Sequence, residues 1–291
     1  MLFRHLALPT LAALWCLTGS AAVTAQIILP GAVLPKGTAA GEVLSLSPGK
    51  AKRKNAATGD GSTIGKPPGE ELVAGRPLYL NGGASMIELA RHDKGLEVKK
   101  LTLRGEQSAK PGEACEVNVA LTPALAAKPA GQPAGLLRYE VELEACPFSF
   151  DILEDAVLVD SPNLTCEFKE AGCMVSAAGL WGPKASAFTP AKAKDTERAR
   201  TRWEAAVRAA FRDATALAKD NNAIKQAAKE QAGFSSEREE KCRDYAGEST
   251  YGFCAARLTQ ARAFALRAKT GQLEAQHAAE KPVKVGRGKK R

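Results

Sequence analysis

The sequence predicts an α+β protein, in which a small antiparallel β-sandwich or barrel-like domain is followed by a disulfide-stapled α-helical bundle. Between residues 70 and 190, apolar and polar residues alternate in short runs, the pattern of half-buried strands. From Asp195 onward, apolar residues recur at the spacing of one helix face. Cys242 and Cys254 each lie at the loop end of a patterned helix, so a disulfide between them would staple the two helices.

Residues 1–25 have the features of a secretory signal peptide. Arg4 and His5 form a basic start, residues 6–17 are mostly apolar, and small residues lead up to a cleavage site after Ala25. The apolar run is too short to serve as a membrane anchor, and no later stretch predicts a membrane span. We therefore expect a protein that is periplasmic or secreted.

Two segments are predicted to be flexible. Residues 26–69 form a basic linker rich in Pro, Gly and Ala, and residues 276–291 form a basic disordered tail. The linker contains Lys52-Arg53-Lys54 and the tail ends in Lys289-Lys290-Arg291. These compositions bury too little apolar surface to order a chain.

Residues 70–190 are assigned to the β domain, whose predicted strands are separated by turn residues. The alternating runs centre on Leu101, Val119, Tyr139, Phe150 and Val157. The turn signals are Asn81-Gly82-Gly83, Asp93-Lys94-Gly95, Lys110-Pro111-Gly112 and Glu170-Ala171-Gly172. The segment 123–133, rich in Pro and Gly, is predicted to be a long loop. Trp181 has two interpretations, a surface ring that stacks on a sugar and, the favoured one, a core residue that closes the sheet.

Residues 191–275 are assigned to the helical domain. The first helix is expected to start at Asp195 or Thr196 as its cap, and its apolar stripe consists of Trp203, Val207, Ala210, Phe211, Ala214 and Leu217. A second helix is expected from Ala223, with a kink or break at Gly233. A last helix is expected from Phe253 to Lys269.

Six cysteines remain after removal of the signal peptide: Cys115, Cys146, Cys166, Cys173, Cys242 and Cys254. An even number in an oxidising compartment indicates disulfides, although sequence alone does not fix their connectivity. Local spacing favours Cys166–Cys173 across a hairpin and Cys242–Cys254 across the helix pair, which leaves Cys115–Cys146. With no Cys-x-x-Cys motif, and with His92 and His277 isolated, the sequence predicts no metal and no cofactor.

The charge is unevenly distributed along the chain. The formal total is +9, but residues 70–190 carry a net charge of −6 and residues 191–291 carry +10. Basic clusters often bind nucleic acid, but export argues against that partner. The expected partners are a protein or an anionic polymer of the cell envelope.

The sequence favours a protein that is not an enzyme. It contains no Gly-x-Ser-x-Gly, His-Glu-x-x-His or phosphate-binding loop. Glu154 and Asp155 are a conceivable glycosidase pair, but neighbouring residues of a strand point to opposite faces and make a poor dyad.

The two cysteine-bearing helices resemble the LprI-type lysozyme-inhibitor family of small exported helical domains. The family pattern Gln-x-x-Trp-x-x-x-Arg-x-x-x-Cys is matched by Gln231, Phe234, Arg238 and Cys242, with Phe in place of Trp. The pattern Cys-x-x-x-Leu-Thr-x-x-Arg is matched by Cys254, Leu258, Thr259 and Arg262. An earlier helix has the family's spacing at Glu204, Arg208 and Phe211, with Arg208 in place of Asn. The similarity covers about residues 195–270.

This resemblance implies an exported, non-catalytic protein-binding module of the cell envelope that inhibits lysozyme or another cell-wall hydrolase. Host lysozymes are basic, so candidate contacts are the acidic residues Glu237, Glu239, Glu240 and Asp244, with Trp181 in the more acidic β region. Arg238 and Arg262 either bind a partner's carboxylate or brace the helices. The alternative function is an envelope structural or adaptor protein that binds anionic surface polymers through its basic linker and tail.

Overall fold

The computed structural model describes residues 64–93, 95–218 and 220–279. The predicted signal peptide, most of the predicted linker and the basic residues after Glu280 lie outside this part of the chain. All described residues belong to one compact unit. Residues 64–69 were predicted as the end of the linker. The first two of them lie beside the last helix, where Arg267 donates hydrogen bonds to the carbonyls of Ile64 and Gly65.

The described residues from 70 to 182 contain eleven strands. Their bounds are β1 Pro77–Leu80, β2 Met86–His92, β3 Gly95–Gln107, β4 Lys110–Val119, β5 Leu125–Pro129, β6 Arg138–Val141, β7 Phe148–Leu153, β8 Ala156–Asp160, β9 Cys166–Phe168, β10 Cys173–Val175 and β11 Gly179–Gly182. All strand pairs are antiparallel. The predicted alternating runs lie in β3, β4, β6, β7 and β8.

Eight of the strands close into an antiparallel barrel. The order around it is β2-β1-β11-β8-β7-β6-β5-β3, and the pairing of β2 with β3 completes the ring. Alternate residues of these strands point inward, as the burial of Leu96, Val98, Leu101 and Leu103 on β3 illustrates. The α+β prediction is therefore confirmed at this level, with a barrel as its β part.

Three further strands extend from the barrel because β3 is thirteen residues long. Its C-terminal half pairs with β4 on one side and with β10 on the other, and β9 pairs with β10. Gly105 is the residue that permits this arrangement. A Cβ atom added to it would come within 1.8 Å of the carbonyl oxygen of Met174 on β10.

Two predictions about the β region were wrong. The segment predicted as a long loop contains β5, and Lys110-Pro111-Gly112, predicted as a turn, begins β4. The turn lies instead at Ser108 and Ala109. Proline and glycine favour turns, but proline is also tolerated at strand ends, which is where Pro111 and Pro129 lie.

Four helices follow the strands, with the bounds α1 Pro190–Leu217, α2 Asn221–Cys242, α3 Glu248–Tyr251 and α4 Phe253–Ala279. The α1 helix begins before the predicted caps, because the Thr189 hydroxyl accepts from the backbone N–H of Lys192 and Pro190 occupies the first turn. No break occurs at Gly233, and α4 continues through Gly271. Glycine costs a helix only about 1 kcal/mol, which these long helices absorb.

The buried residues form two clusters, one inside the barrel and one between the barrel and the helices. In the second cluster, Leu153 and Leu180 from the strands join Trp203 on α1 and Phe264 on α4. The α1 and α4 helices each bury a full face, whereas α2 buries only Ala227 and Cys242. Most of α2 therefore remains at the surface of the described part.

The six cysteines form three disulfides, Cys115–Cys173, Cys146–Cys166 and Cys242–Cys254, with Cα–Cα distances of 5.9, 5.2 and 5.5 Å. The pairing across the helices agrees with the spacing argument, but Cys166–Cys173 and Cys115–Cys146 were wrong. In the β9–β10 register Cys166 lies opposite Val175 and Cys173 opposite Phe168. The two cysteines are thus offset by two residues, about 7 Å along the strand, too far for a bridge.

Candidate functional site

Arg238 of α2 lies at the centre of a set of polar and aromatic contacts between α1, α2 and α4. We call this set the seam, and its residues are Glu204, Gln231, Phe234, Arg238, Thr259 and Arg262. The guanidinium of Arg238 donates a hydrogen bond from Nη1 to the Thr259 hydroxyl of α4 at 2.9 Å, and the same nitrogen lies 3.7 Å from Glu204 Oε1 of α1. Thr259 in turn donates to the carbonyl of Ala255 at 2.6 Å. Residues predicted from sequence to share a motif therefore meet in space, although Glu204 and Thr259 lie on different helices.

The second part of the seam is built around Phe234 on α2. The guanidinium carbons of Arg238 and Arg262 lie 5.5 and 5.7 Å from the centre of its ring. Arg262 also donates to Gln231 Oε1 at 3.4 Å. Cation–π contacts of this kind require a π face, which Phe supplies in the place of the expected Trp. The aromatic ring and two arginines thus attach α2 to α4.

The disulfide Cys242–Cys254 closes one end of the seam, and Glu248 fixes the loop beside it. Both Glu248 carboxylate oxygens accept 2.8 Å hydrogen bonds, from the backbone N–H groups of Cys254 and Ala255. These groups belong to the first turn of α4, so the carboxylate both caps the helix and faces the positive end of its dipole. Leu258, the next motif residue, is buried in the core between helices and barrel.

Two residues of the motif lie apart from the seam. Arg208 is exposed on α1, and Phe211 packs at the edge of the second core. The motif positions thus divide into residues that hold the helices together, residues that pack in the second core, and the exposed Arg208.

An open cleft of about 490 Å³ runs beside the seam and the disulfide. Arg200, Arg238 and Arg243 line it together with Glu239 and Glu248. Glu204 already accepts from Arg200 and lies near Arg238, while Glu248 is engaged by the α4 backbone. Arg243 therefore offers the least engaged guanidinium for a carboxylate of a partner, among the described lining residues.

The acidic residues predicted as partner contacts lie on the surface. Glu237, Glu239, Glu240 and Asp244 are all exposed at the C-terminal end of α2 and the start of the following loop. Lys241 forms a 2.7 Å ion pair with Glu237, which neutralises part of this patch.

Trp181, in contrast, is too deeply buried to contact a partner. It is 1% exposed, and its indole N–H donates to the carbonyl of Ala177 at 2.8 Å. Its ring belongs to the barrel core, because β11 places it on the inner face of the sheet. The interpretation as a core residue that closes the sheet agrees with this position.

Glu154 and Asp155, the conceivable glycosidase pair, lie in the turn between β7 and β8 and not within a strand. Asp155 pairs with Arg76 at 2.7 Å. Glu154 accepts from Arg257 of α4 at 2.8 Å and from Arg202 of α1 at 3.1 Å. The backbone N–H of Glu154 also donates to Gln260 Oε1 at 3.2 Å. Glu154 thus holds α1 and α4 on the barrel, whereas Asp155 pairs within the β region.

Three groups with clearly shifted pKa values, Arg257, Tyr245 and Tyr139, lie in buried contacts. Burial lowers the pKa of Arg257, and the charge of Glu154 opposes this effect. Burial raises the pKa of Tyr245, whose hydroxyl donates to the carbonyl of Pro183, and the charge of Glu248 adds to the shift. Burial also raises the pKa of Tyr139, which donates to Glu70.

In the described part of the chain, no group of three His, Cys, Asp or Glu side chains is arranged to hold a metal ion. None of the helices in residues 64–279 as described combines the length and apolar character needed to cross a bilayer. Comparisons with family models, with curated proteins and with solved structures returned no match to this chain.

Proposed function

We propose that this chain is an exported, non-catalytic protein-binding module of the cell envelope whose helices form an LprI-like bundle. The observation that carries the proposal is the seam, in which the motif residues Glu204, Phe234, Arg238, Thr259 and Arg262 contact one another across three helices. Three disulfides suit a protein of the periplasm or the exterior.

The target class that we propose is a basic cell-wall hydrolase, and the most specific version of this proposal is that the target is a lysozyme. The arginines of the seam are engaged within the protein, and two exposed regions offer acidic surface to a basic partner. One is the patch of Glu237, Glu239, Glu240 and Asp244, and the other is the β region with its net charge of −6. An acidic surface accelerates association with a basic protein.

The test is a muramidase assay with oxidised residues 26–291 in excess over several lysozyme types, at low and at high salt. Inhibition that persists at high salt supports a packed interface, because salt screens exposed charge pairs but not buried contacts. Failure to inhibit any lysozyme type would overturn the lysozyme form of the proposal. Neutralising the α2 patch by Glu237→Gln, Glu239→Gln, Glu240→Gln and Asp244→Asn then asks whether that patch makes the contact.

Asp213→Asn with Glu274→Gln is a control for that variant, because both positions are exposed on neighbouring helices. The alternative function, an adaptor that binds anionic polymers, depends on basic clusters outside the described residues. Binding to teichoic-acid or lipopolysaccharide preparations that disappears at high salt, without any inhibition, would favour the adaptor.

A further inference from the structure

Two strands outside the barrel leave an edge unpaired within the described part of the chain. The β4 strand pairs with β3 alone, and β9 pairs with β10 alone. No backbone atom of residues 116–120 forms a hydrogen bond outside the β3 ladder with another described residue. Unpaired edges expose rows of N–H and C=O groups and are places where another strand can add.

An open groove of about 910 Å³ runs along both of these edges. It is lined by residues 116–120 of β4 and just beyond, by residues 143–145, and by residues 167–171 of β9 and the turn after it. Successive residues of a strand point to opposite faces of its sheet. A groove that touches five consecutive residues of β4 therefore lies along the edge of that strand and not over one face.

The groove has an apolar floor and an acidic rim. Val119, Leu143 and Phe168 contribute to the floor, where they pack against the barrel core. The charged residues of the lining are Glu116, Glu144, Glu167, Glu170 and Lys169. Glu116 is paired with Arg104 at 2.7 Å, which leaves three carboxylates against one ammonium. The rim is therefore negatively charged, which matches a cationic ligand.

We propose that this groove binds an extended segment of a partner protein in which lysine or arginine alternates with apolar residues. The segment adds as a strand to the free edge of β4, so that backbone hydrogen bonds supply affinity. One set of its side chains packs on Val119, Leu143 and Phe168, and the other reaches the glutamates of the rim. This inference rests on the proposed function for the basic character of the partner.

The charges decide between occupants of the groove. A second copy of this groove would bring its own Glu144, Glu167 and Glu170 towards the same glutamates, and like charges facing one another are unfavourable. A nucleic acid would bring phosphates to the same rim. A basic segment satisfies the unpaired backbone, the apolar floor and the rim at the same time.

The experiment uses oxidised residues 26–291 and a fluorescently labelled peptide of about eight residues, a common strand length, that alternates Lys with Val. Fluorescence anisotropy is measured with three comparison peptides: one with Glu in place of Lys, one with the Lys and Val order scrambled, and one with every backbone nitrogen methylated. We expect binding of the first peptide only. Equal binding of the methylated peptide would overturn strand addition, because methylation removes the donors of the ladder.

The matched protein variant is Glu144→Gln, Glu167→Gln and Glu170→Gln, all of which are exposed and so leave the fold intact. We expect it to bind the Lys-Val peptide about tenfold more weakly, since each exposed charge contact contributes a fraction of a kcal/mol. The control is Glu197→Gln, Asp213→Asn and Glu274→Gln, three exposed carboxylates outside both the groove and the α2 patch, which should bind unchanged. Unchanged binding by the groove variant would overturn the assignment.

Two further outcomes separate this inference from the function it rests on. If the chain inhibits a lysozyme and the Lys-Val peptide does not bind, the groove assignment is wrong and the function stands. If the peptide binds and no hydrolase is inhibited, the groove stands and the hydrolase target is wrong. A rise in peptide affinity on removing residues 281–291 would make the chain's own tail the occupant and overturn the assignment to a partner.

Discussion

Arg257 of α4 donates a hydrogen bond to Glu154 at 2.8 Å, across a sequence separation of 103 residues. The arginine is 5% exposed, so its charge is balanced almost entirely within the protein. Arg202 of α1 reaches the same carboxylate, and Gln260 accepts from the backbone of Glu154. One turn of the barrel thus fixes the position of two helices.

Replacing Glu154 by Ala should lower the free energy of unfolding by about 3–5 kcal/mol, because it leaves the buried Arg257 charge without its partner. Urea denaturation followed by circular dichroism measures the change. The control is Arg76→Ala, which breaks the neighbouring pair with Asp155 at a side chain that is 46% exposed and should cost about 1 kcal/mol or less. Similar losses in the two variants would contradict the role given to Arg257.

Replacing Cys242 and Cys254 together by Ala should lower the free energy of unfolding by about 2–4 kcal/mol. The bridge closes a short loop and holds α2, which buries little surface of its own, to the start of α4. Alanine avoids placing hydroxyl groups at two positions that are almost fully buried. An unchanged thermal midpoint would show that the bridge contributes nothing to stability.

Arg238→Lys should destabilise the protein by about 1–2 kcal/mol even though it keeps the positive charge. Lysine lacks the planar fork that donates to Thr259, approaches Glu204 and lies against the Phe234 ring at the same time. Arg208→Lys is the matched control, because Arg208 is an exposed motif residue outside the seam. Thermal unfolding of both variants is the measurement, and equal midpoints would contradict the proposed role of the seam.

The protein should lose stability as pH rises above about 10, the ordinary pKa of tyrosine. Because burial raises the pKa values of Tyr139 and Tyr245 in the folded state, the unfolded chain releases these protons first. Their contribution is intact below the unfolded-state pKa and decreases by about 1.4 kcal/mol per pH unit for each tyrosine above it. Denaturant midpoints between pH 8 and 11 test this, and Tyr245→Phe should reduce the slope.

Local patterns in the sequence are enough to predict the strands that carry Leu101, Tyr139 and Val157, since alternation depends on neighbours in the chain. They do not predict β5, because Ala126 and Ala127 alternate too weakly and Pro129 indicates a turn. They also fail for Cys166 and Cys173, whose closeness in sequence says nothing about strand register. Closure of the barrel depends on how β2 meets β3 and on distant strands that complete the ring.

The same distinction holds for the site. The spacing of Arg238, Thr259 and Arg262 places them on facing helix surfaces, so their meeting could be predicted. The contact of Glu154 with Arg257 could not, because Glu154 lies in a turn and has no periodic pattern around it. The groove along β4 escaped prediction for a related reason. A strand has a free edge only if no other strand pairs with it on that side. This depends on the pairing of the whole sheet and not on the sequence of β4 itself.

Each disulfide joins residues on one side of the connection at 183–189, either two in the β region or two in the helices. The peptide backbone is therefore the covalent link between these parts, and the shared core with the Glu154 contacts is the non-covalent one. Residues 26–186 and 187–291, produced separately and oxidised, should reassemble on mixing. The dissociation constant of the two fragments would then measure the strength of the interface between the β region and the helices.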